Sequence, residues 1–276
     1  MTNIPKWQKS LLWIFAFGLA LIIFFPVWYM LTMGFASNGD ILSNNVSLIP
    51  FKISFENIFL VLSRTLILRY MLNTLFVAFA ILAIQIATCE LAAYAFAFYE
   101  FKGKKFIFML ILSTLMIPSE ATIIANYLTI SALKWVDTYH ALIIPFSTSA
   151  TGIFLMRQYF LTIAKELREA AFLDGCGNMA FFIHVALPLS RPIAASFAIT
   201  SFIGSWNMYM WPLLVTNKDS MRMVQVGITS LRDADAAQTI GLAMAGICIV
   251  TIPSIVIFAL GHRQVVEGMM AGSVKG

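Results

Sequence analysis

The stretch EAAFLDGCGNMAFFIHVALPLSRP, Glu169 to Pro192, interrupts a chain that is apolar almost everywhere else. Long hydrophobic runs flank it, yet it carries acids, bases, glycines and a Leu-Pro step. A plain connector between two membrane helices needs neither that length nor that charge. From Met156 onward the pattern turns helical and amphipathic, with Ile163, Leu167 and Ala170 or Ala171 spaced for one face. Lys165 and Glu169 stand four apart and share a face, with Glu166 and Arg168 beside them. Asp174-Gly175 is expected to close this helix, because glycine takes the left-handed conformation at a helix C-terminus without steric cost. Asn178 is placed to cap a second short helix, MAFFIHVAL, which Pro188 is expected to stop. Residues 157–192 therefore read as a helix–turn–helix, small at its tip and charged along one side. Two uses fit that shape. One is an interfacial hairpin resting on lipid headgroups. The other is a knob: Ala170, Ala171 and Gly175 let a protein surface approach closely, and a neighbouring charge orients the contact.

The surrounding composition makes the chain a membrane protein. Of its 276 residues 60% are hydrophobic and 11% charged, with a mean hydropathy of +0.86, whereas soluble domains carry about 25% charged residues. Apolar segments of about 20 residues can cross the hydrocarbon layer as helices. Six can be drawn, over 11–33, 71–98, 106–130, 137–156, 193–215 and 239–261, giving an all-α polytopic chain with the charged loop between the fourth and fifth. An inside N-terminus places eleven Lys and Arg, including the KGKK cluster at 102–105, on the cytoplasmic side and seven outside, which supports N-in, C-in. The run from Leu11 to Gly34 exceeds a signal-peptide core and reads as a retained helix.

The net charge of +5 is scattered through loops rather than gathered in a stripe, so it points to headgroups and a cytoplasmic partner, not to nucleic acid. Cys89, Cys176 and Cys248 are far apart, without disulfide or metal spacing, and read as small hydrophobes. The outer segments are about 34–70, 131–136 and 216–238, the first and last rich in polar and turn-forming residues, and Asn45-Val46-Ser47 fits a glycosylation sequon. No internal repeat or soluble domain is visible.

A few polar residues inside the drawn spans stand out. Glu90 and Glu120 are costly there unless paired or wet, so each is either functional or bonded to a neighbouring helix. Glu120 follows Pro118-Ser119, a break that would put it at the positive end of a restarted half-helix. Trp206 and Asn207, with Tyr209 close by, combine a flat apolar face and an amide, chemistry suited to a polyol; the alternative is interhelical packing. Asn73 is either on a substrate path or, like Gln85, a bridge between helices. His140 and His184 lack carboxylate partners, and no nucleophile–base set or HExxH motif is present. Stand-alone transport is opposed by the small, repeat-free unit.

The motifs resemble one family. EAAFLDG followed by FFIHVALP looks like the EAA signature of the inner-membrane permease subunits of binding-protein-dependent ABC importers. MLNTLFVAFA (71–80), LAAYAFAFYEFKGKKF (91–106), MIPSEATII (116–124), LMRQYFLTIAKELREAAFLDG (155–175), SWNMYMWPLL (205–214) and EGMMAGSVKG (267–276) extend the likeness to the carbohydrate branch, which serves maltose, multiple sugars and glycerol-3-phosphate. The resemblance implies that 157–192 is a coupling loop that enters a cleft of a cytoplasmic ATPase. Glu169, Ala170, Ala171, Asp174 and Gly175, with Arg168 beside them, would make the contact, and Leu187-Pro188 would close the motif. It further implies a second permease subunit, two ATPase subunits that hold ATP and Mg, an external substrate-binding protein and a bacterial inner-membrane location. The chain itself has no phosphate-binding G-x-x-x-x-G-K-[ST] loop and no cofactor of its own is expected. One departure is visible: Ala164 stands where the family commonly has proline.

Overall fold

The computed structural model describes residues 5–42, 53–229, 231 and 238–271. The sequon at 45–47, the acidic segment 232–237 and the last five residues lie outside that set. The described residues form helices α1 (Lys6–Gly34), α2 (Asn38–Leu42), α3 (Glu56–Arg64), α4 (Ile67–Phe98), α5 (Lys104–Ser113), α6 (Ser119–Ala132), α7 (Tyr139–Ile143) and α8 (Ala150–Phe160). They continue with α9 (Lys165–Leu173), α10 (Asn178–Phe181), α11 (Leu187–Trp206), α12 (Met210–Val215), α13 (Val224–Thr229) and α14 (Gln238–Ala271). No strand occurs among the described residues.

Four helical stretches are long and apolar enough to cross a membrane: Trp7–Gly34, Ile67–Phe98, Asn178–Trp206 and Ile240–His262. Two further helix pairs qualify only together, Lys104–Met116 with Ser119–Ala132, bent by 102°, and Tyr139–Phe146 with Ala150–Phe160, bent by 41°. The first bend falls at Ile117-Pro118, where the missing N–H and the ring end the preceding helix.

The chain divides into two compact units. One holds residues 1–68 and 227–252. Within it, buried Asn57 donates from Nδ2 to the carbonyl of Ala36 at 2.9 Å, and Phe35 meets Phe55 edge to face at 5.5 Å. Most of α1 buries nothing: Trp13 is 75% and Ile22 72% exposed. A helix that is apolar on all faces needs lipid or another chain around it.

The second unit holds residues 69–226 and 253–276 and is organised around α4. Toward one end Val77 and Ile81 of α4 pack with Ile130, Leu142, Trp211, Val215 and Met223. Toward the other, Cys89, Ala93, Tyr94 and Phe96 pack with Phe108, Met156, Phe160, Phe181, Phe182 and Phe197. Between them a polar ladder on α4 meets the break between α7 and α8. Gln85 Nε2 donates to the carbonyl of Phe146 at 2.8 Å, Thr88 Oγ1 to that of Ser147 at 2.8 Å, and Cys89 Sγ to that of Ser149 at 3.3 Å. Carbonyls freed by a helix break have no water in a bilayer core, so side chains must satisfy them. Gly152 lets α8 close on this ladder, since a Cβ there would sit 2.8 Å from both Cys89 Sγ and Phe197.

The structure corrects three sequence expectations. Pro188 does not stop the second helix: α10 passes through a π-helical turn, Phe182–Ala186, straight into α11, and Pro188 occupies one of its first positions. The widened turn accommodates a ring that cannot donate to the preceding turn. Asn178 does not cap: Gly177 is the N-cap and no side-chain cap bond forms. The fifth apolar run, drawn at 193–215, is two helices broken at Asn207, with the long one beginning at Asn178. Hydropathy senses the run and is blind to the turn inside it.

Candidate functional site

The segment 157–192 runs from the last turn of α8 through α9 and a turn at 174–177 into α10, which continues into α11, so that α9 and α10 form a hairpin. The helix α9 buries none of its residues. Lys165, Glu166, Glu169 and Ala170 are exposed, Ala171 is half-buried against the aromatic cluster with Ile163, and Leu173 at the tip is 89% exposed. Arg168 is held differently: its guanidinium lies 5.3 Å from the ring centres of both Phe98 and Phe172, a cation–π clamp that ties α9 to the end of α4.

The helix closes at Asp174-Gly175 as its composition predicts. Gly175 has φ +81°, its N–H donates to Phe172 at 3.1 Å, and Cys176 N–H donates to Ala171 at 2.9 Å. These are the paired bonds of a Schellman closure, and only glycine adopts that backbone without strain. Asp174 is the C-cap and stays exposed. At the other end Ala164 is the N-cap, with φ −59° and no side-chain bond. Leu187 packs against the aromatic cluster and Pro188 faces outward.

The hairpin's root is fastened to α4 by residues whose significance composition hides. Tyr94 Oη donates to the carbonyl of Asn178 at 2.8 Å, and its ring lies 4.9 Å from Phe182. Ser190 Oγ donates to Glu90 Oε1 at 2.9 Å, with both residues buried. Arg157 Nε donates to the carbonyl of Phe96 at 3.1 Å and stacks over Phe108 at 4.2 Å. The one advance signal was Glu90 itself, an acid inside an apolar run.

The residues considered for a substrate path have different surroundings in this chain. Trp206 is fully buried at the end of α11 and stacks on Phe202, one turn earlier on the same helix, with ring centres 6.0 Å apart. Asn207 is exposed at the end of α11, and its Oδ1 accepts from Gln225 at 3.2 Å. Tyr209, in the break after it, is 37% exposed. Asn73 is buried and bridges: Nδ2 donates to the carbonyls of Ser220 and Arg222 at 2.9 and 3.0 Å, while Oδ1 accepts from Tyr139 at 3.0 Å. Gln85 bridges likewise, accepting from Ser201 at 2.6 Å. Glu120 sits in the first turn of α6, exposed, with Ser119 Oγ 3.0 Å from its carboxylate. That is where a negative charge suits the helix dipole.

Comparison with known proteins agrees with this picture. The arabinooligosaccharides transport system permease protein AraQ of Halalkalibacterium halodurans is 30% identical, covering 98% of this chain and 99% of that protein. The sn-glycerol-3-phosphate transport system permease protein UgpE of Brucella suis is 36% identical over 91% of this chain and 92% of that protein. Among solved structures, a chain of a bacterial ABC transporter that imports the acidic polysaccharide alginate shares the fold, with a TM-score of 0.85, 22% identity and 95% of this chain covered. Residues 4–266 match the model for the inner membrane component of binding-protein-dependent transport systems, and the chain belongs to that family, as an ABC importer permease subunit and not an enzyme.

Proposed function

We propose that the chain crosses the bacterial cell membrane six times, N-in and C-in, over one transmembrane domain spanning 1–276. In this reading it forms half of a sugar pathway with a second permease subunit. Counting each bent pair as one crossing supports six, and the KGKK cluster at 102–105 supports the orientation. The hairpin 157–192 then lies in the cytoplasm between the fourth and fifth crossings. There α9 is the coupling helix, docked through Glu169, Ala170, Ala171, Asp174 and Gly175 into one of two ATPase subunits, which bind ATP and Mg.

The observation that carries this reading is α9 itself: a helix with no buried residue, closed by a strained-for-anything-but-glycine turn and held at its root, has no use inside this chain. ATP-driven closure of the ATPase pair would push the knob and rock the helices between two states. A substrate-binding protein outside completes the system; a solved alginate transporter of this fold is in complex with a pentasaccharide-bound periplasmic protein.

A neutral mono- or oligosaccharide is the first reading for the substrate, because no Lys or Arg lies deep in the drawn spans and the acid Glu120 is exposed. The 36% identity to a glycerol-3-phosphate permease supports a polyol phosphate as the second. Trp206, Asn207, Tyr209, Glu120 and Asn73 stay candidates for the path only if an assembled partner opens their surroundings. The test is uptake in vesicles supplied with ATP and with ion gradients collapsed: uptake is expected to need ATP, and uptake without it would refute the importer reading. A thermal-shift screen of the cognate binding protein against arabino-oligosaccharides and sn-glycerol-3-phosphate chooses the substrate.

A further inference from the structure

Glu90, Tyr94 and Phe98 lie one helical turn apart on α4 and present a single stripe. Each holds a different part of the hairpin: Glu90 takes Ser190 at the start of α11, Tyr94 takes Asn178 at the start of α10, and Phe98 takes Arg168 on α9. The π-helical turn, Phe182–Ala186, lies between the first two anchor points. A π turn is a wide, imperfectly bonded segment and recurs at functional sites. Pinned on both sides to the same helix, it cannot absorb a displacement of α9 by stretching.

Glu90 is a poor choice for stability alone. It is 2% exposed, Ser190 is fully buried, and Oε2 has no hydrogen-bond partner among the described residues. A buried polar atom left unmatched is destabilising, and leucine would fill the same space without that cost. Ser190 Oγ also lies 3.0 Å from the carbonyl of Leu187, one turn back on α11, so its single proton has two acceptors within reach and the hydroxyl stands between the carboxyl and the Leu187-Pro188 step that ends the signature.

We infer that Glu90 is a positioning residue for coupling: with Tyr94 it locks both flanks of the π turn to α4, so that movement of α9 carries α4 and α11 together. The inference rests on the docking role of α9. Its test uses the complete transporter, with its ATPase and binding protein, in proteoliposomes, reading substrate imported per ATP hydrolysed. Glu90→Leu, Ser190→Ala and Tyr94→Phe are each expected to lower that ratio by about two- to ten-fold, the range spanned by one net hydrogen bond, with ATP hydrolysis preserved. Glu90→Gln, which keeps an acceptor for Ser190, is expected to restore most of it, and Glu90→Leu with Ser190→Ala to be no worse than Glu90→Leu alone.

Wild-type ratios in assembled Tyr94→Phe and Ser190→Ala complexes would overturn the inference, as would a parallel fall of uptake and hydrolysis that glutamine does not rescue. Tyr94→Phe removes one oxygen and keeps the test usable where Glu90→Leu fails to assemble. Failure of the docking reading appears separately, as wild-type protein that does not co-purify with the ATPase.

Discussion

Ala164 and Gly175 bracket the knob, and their backbone angles make opposite demands. Ala164 sits at φ −59°, ψ 136°, close to the value of about −65° that a proline ring imposes. Its N–H makes no hydrogen bond among the described residues. The position is thus already shaped for the residue common in the family. Ala164→Pro should stabilise the hairpin by about 0.4–1 kcal/mol through the unfolded chain, seen as a higher Tm in detergent with transport unchanged; a lower Tm would mean that the N-cap is not free to accept the ring. Gly175 at φ +81° tolerates no such liberty. A β-branched residue there costs about 1–2 kcal/mol in the left-handed region, so Gly175→Val should open the Schellman closure and uncouple transport while the protein still inserts. Gly175→Asn, the side chain best suited to that conformation after glycine, should do less harm. Equal defects in both variants would place the effect in contact with the ATPase rather than in the turn. Glu169→Lys reverses an exposed charge on the same helix and should uncouple with no loss of Tm.

At the scale of elements, the ladder Gln85, Thr88 and Cys89 is what lets α7 and α8 break inside an apolar environment. Gln85→Leu strands the carbonyl of Phe146 and the hydroxyl of Ser201 together. Bonds between membrane helices average about 0.6 kcal/mol, while an orphaned buried group costs about 1–3 kcal/mol, so the detergent Tm should fall clearly. Ser201→Ala should fall less, and the double variant should match Gln85→Leu, since the Gln85–Ser201 link is already lost in Gln85→Leu; additive losses would mean that the two residues act separately. These elements also mark where sequence reading succeeds. The closure of α9 was legible because Asp-Gly has one cheap backbone solution, and the bend after α5 because Pro118 removes a donor. The run through Pro188 was not, because a π turn depends on packing against Phe160 and Tyr94, which are distant in sequence. Trp206 was ambiguous for the same reason: an aromatic ring suits a sugar or a core equally, and its full burial in this chain depends on packing that sequence does not display.

For the molecule as a whole, surface chemistry separates the helices into those that pack and those that wait for surroundings. The most apolar 18-residue window of α1 has none of its residues buried, against 33% for α4 and 39% for the helix from Asn178 to Trp206. A water-facing helix of that kind would be an aggregation site, so lipid or a partner subunit must cover it. Four of the six tryptophans report which. Trp7 and Trp13 on α1 are 67% and 75% exposed, whereas Trp206 is fully buried and Trp211 is 6% exposed, its indole N–H donating to the carbonyl of Ala141 at 2.8 Å. In vesicles of brominated lipid, the isolated chain should therefore lose tryptophan fluorescence mainly through α1. Replacing Trp7 and Trp13 by Phe should remove most of that quenching, and replacing Trp206 should leave it nearly intact. The same measurement on the assembled transporter distinguishes the two covers: quenching that persists assigns α1 to lipid, and quenching that disappears assigns it to the second permease subunit. Quenching that follows Trp206 instead would contradict its burial.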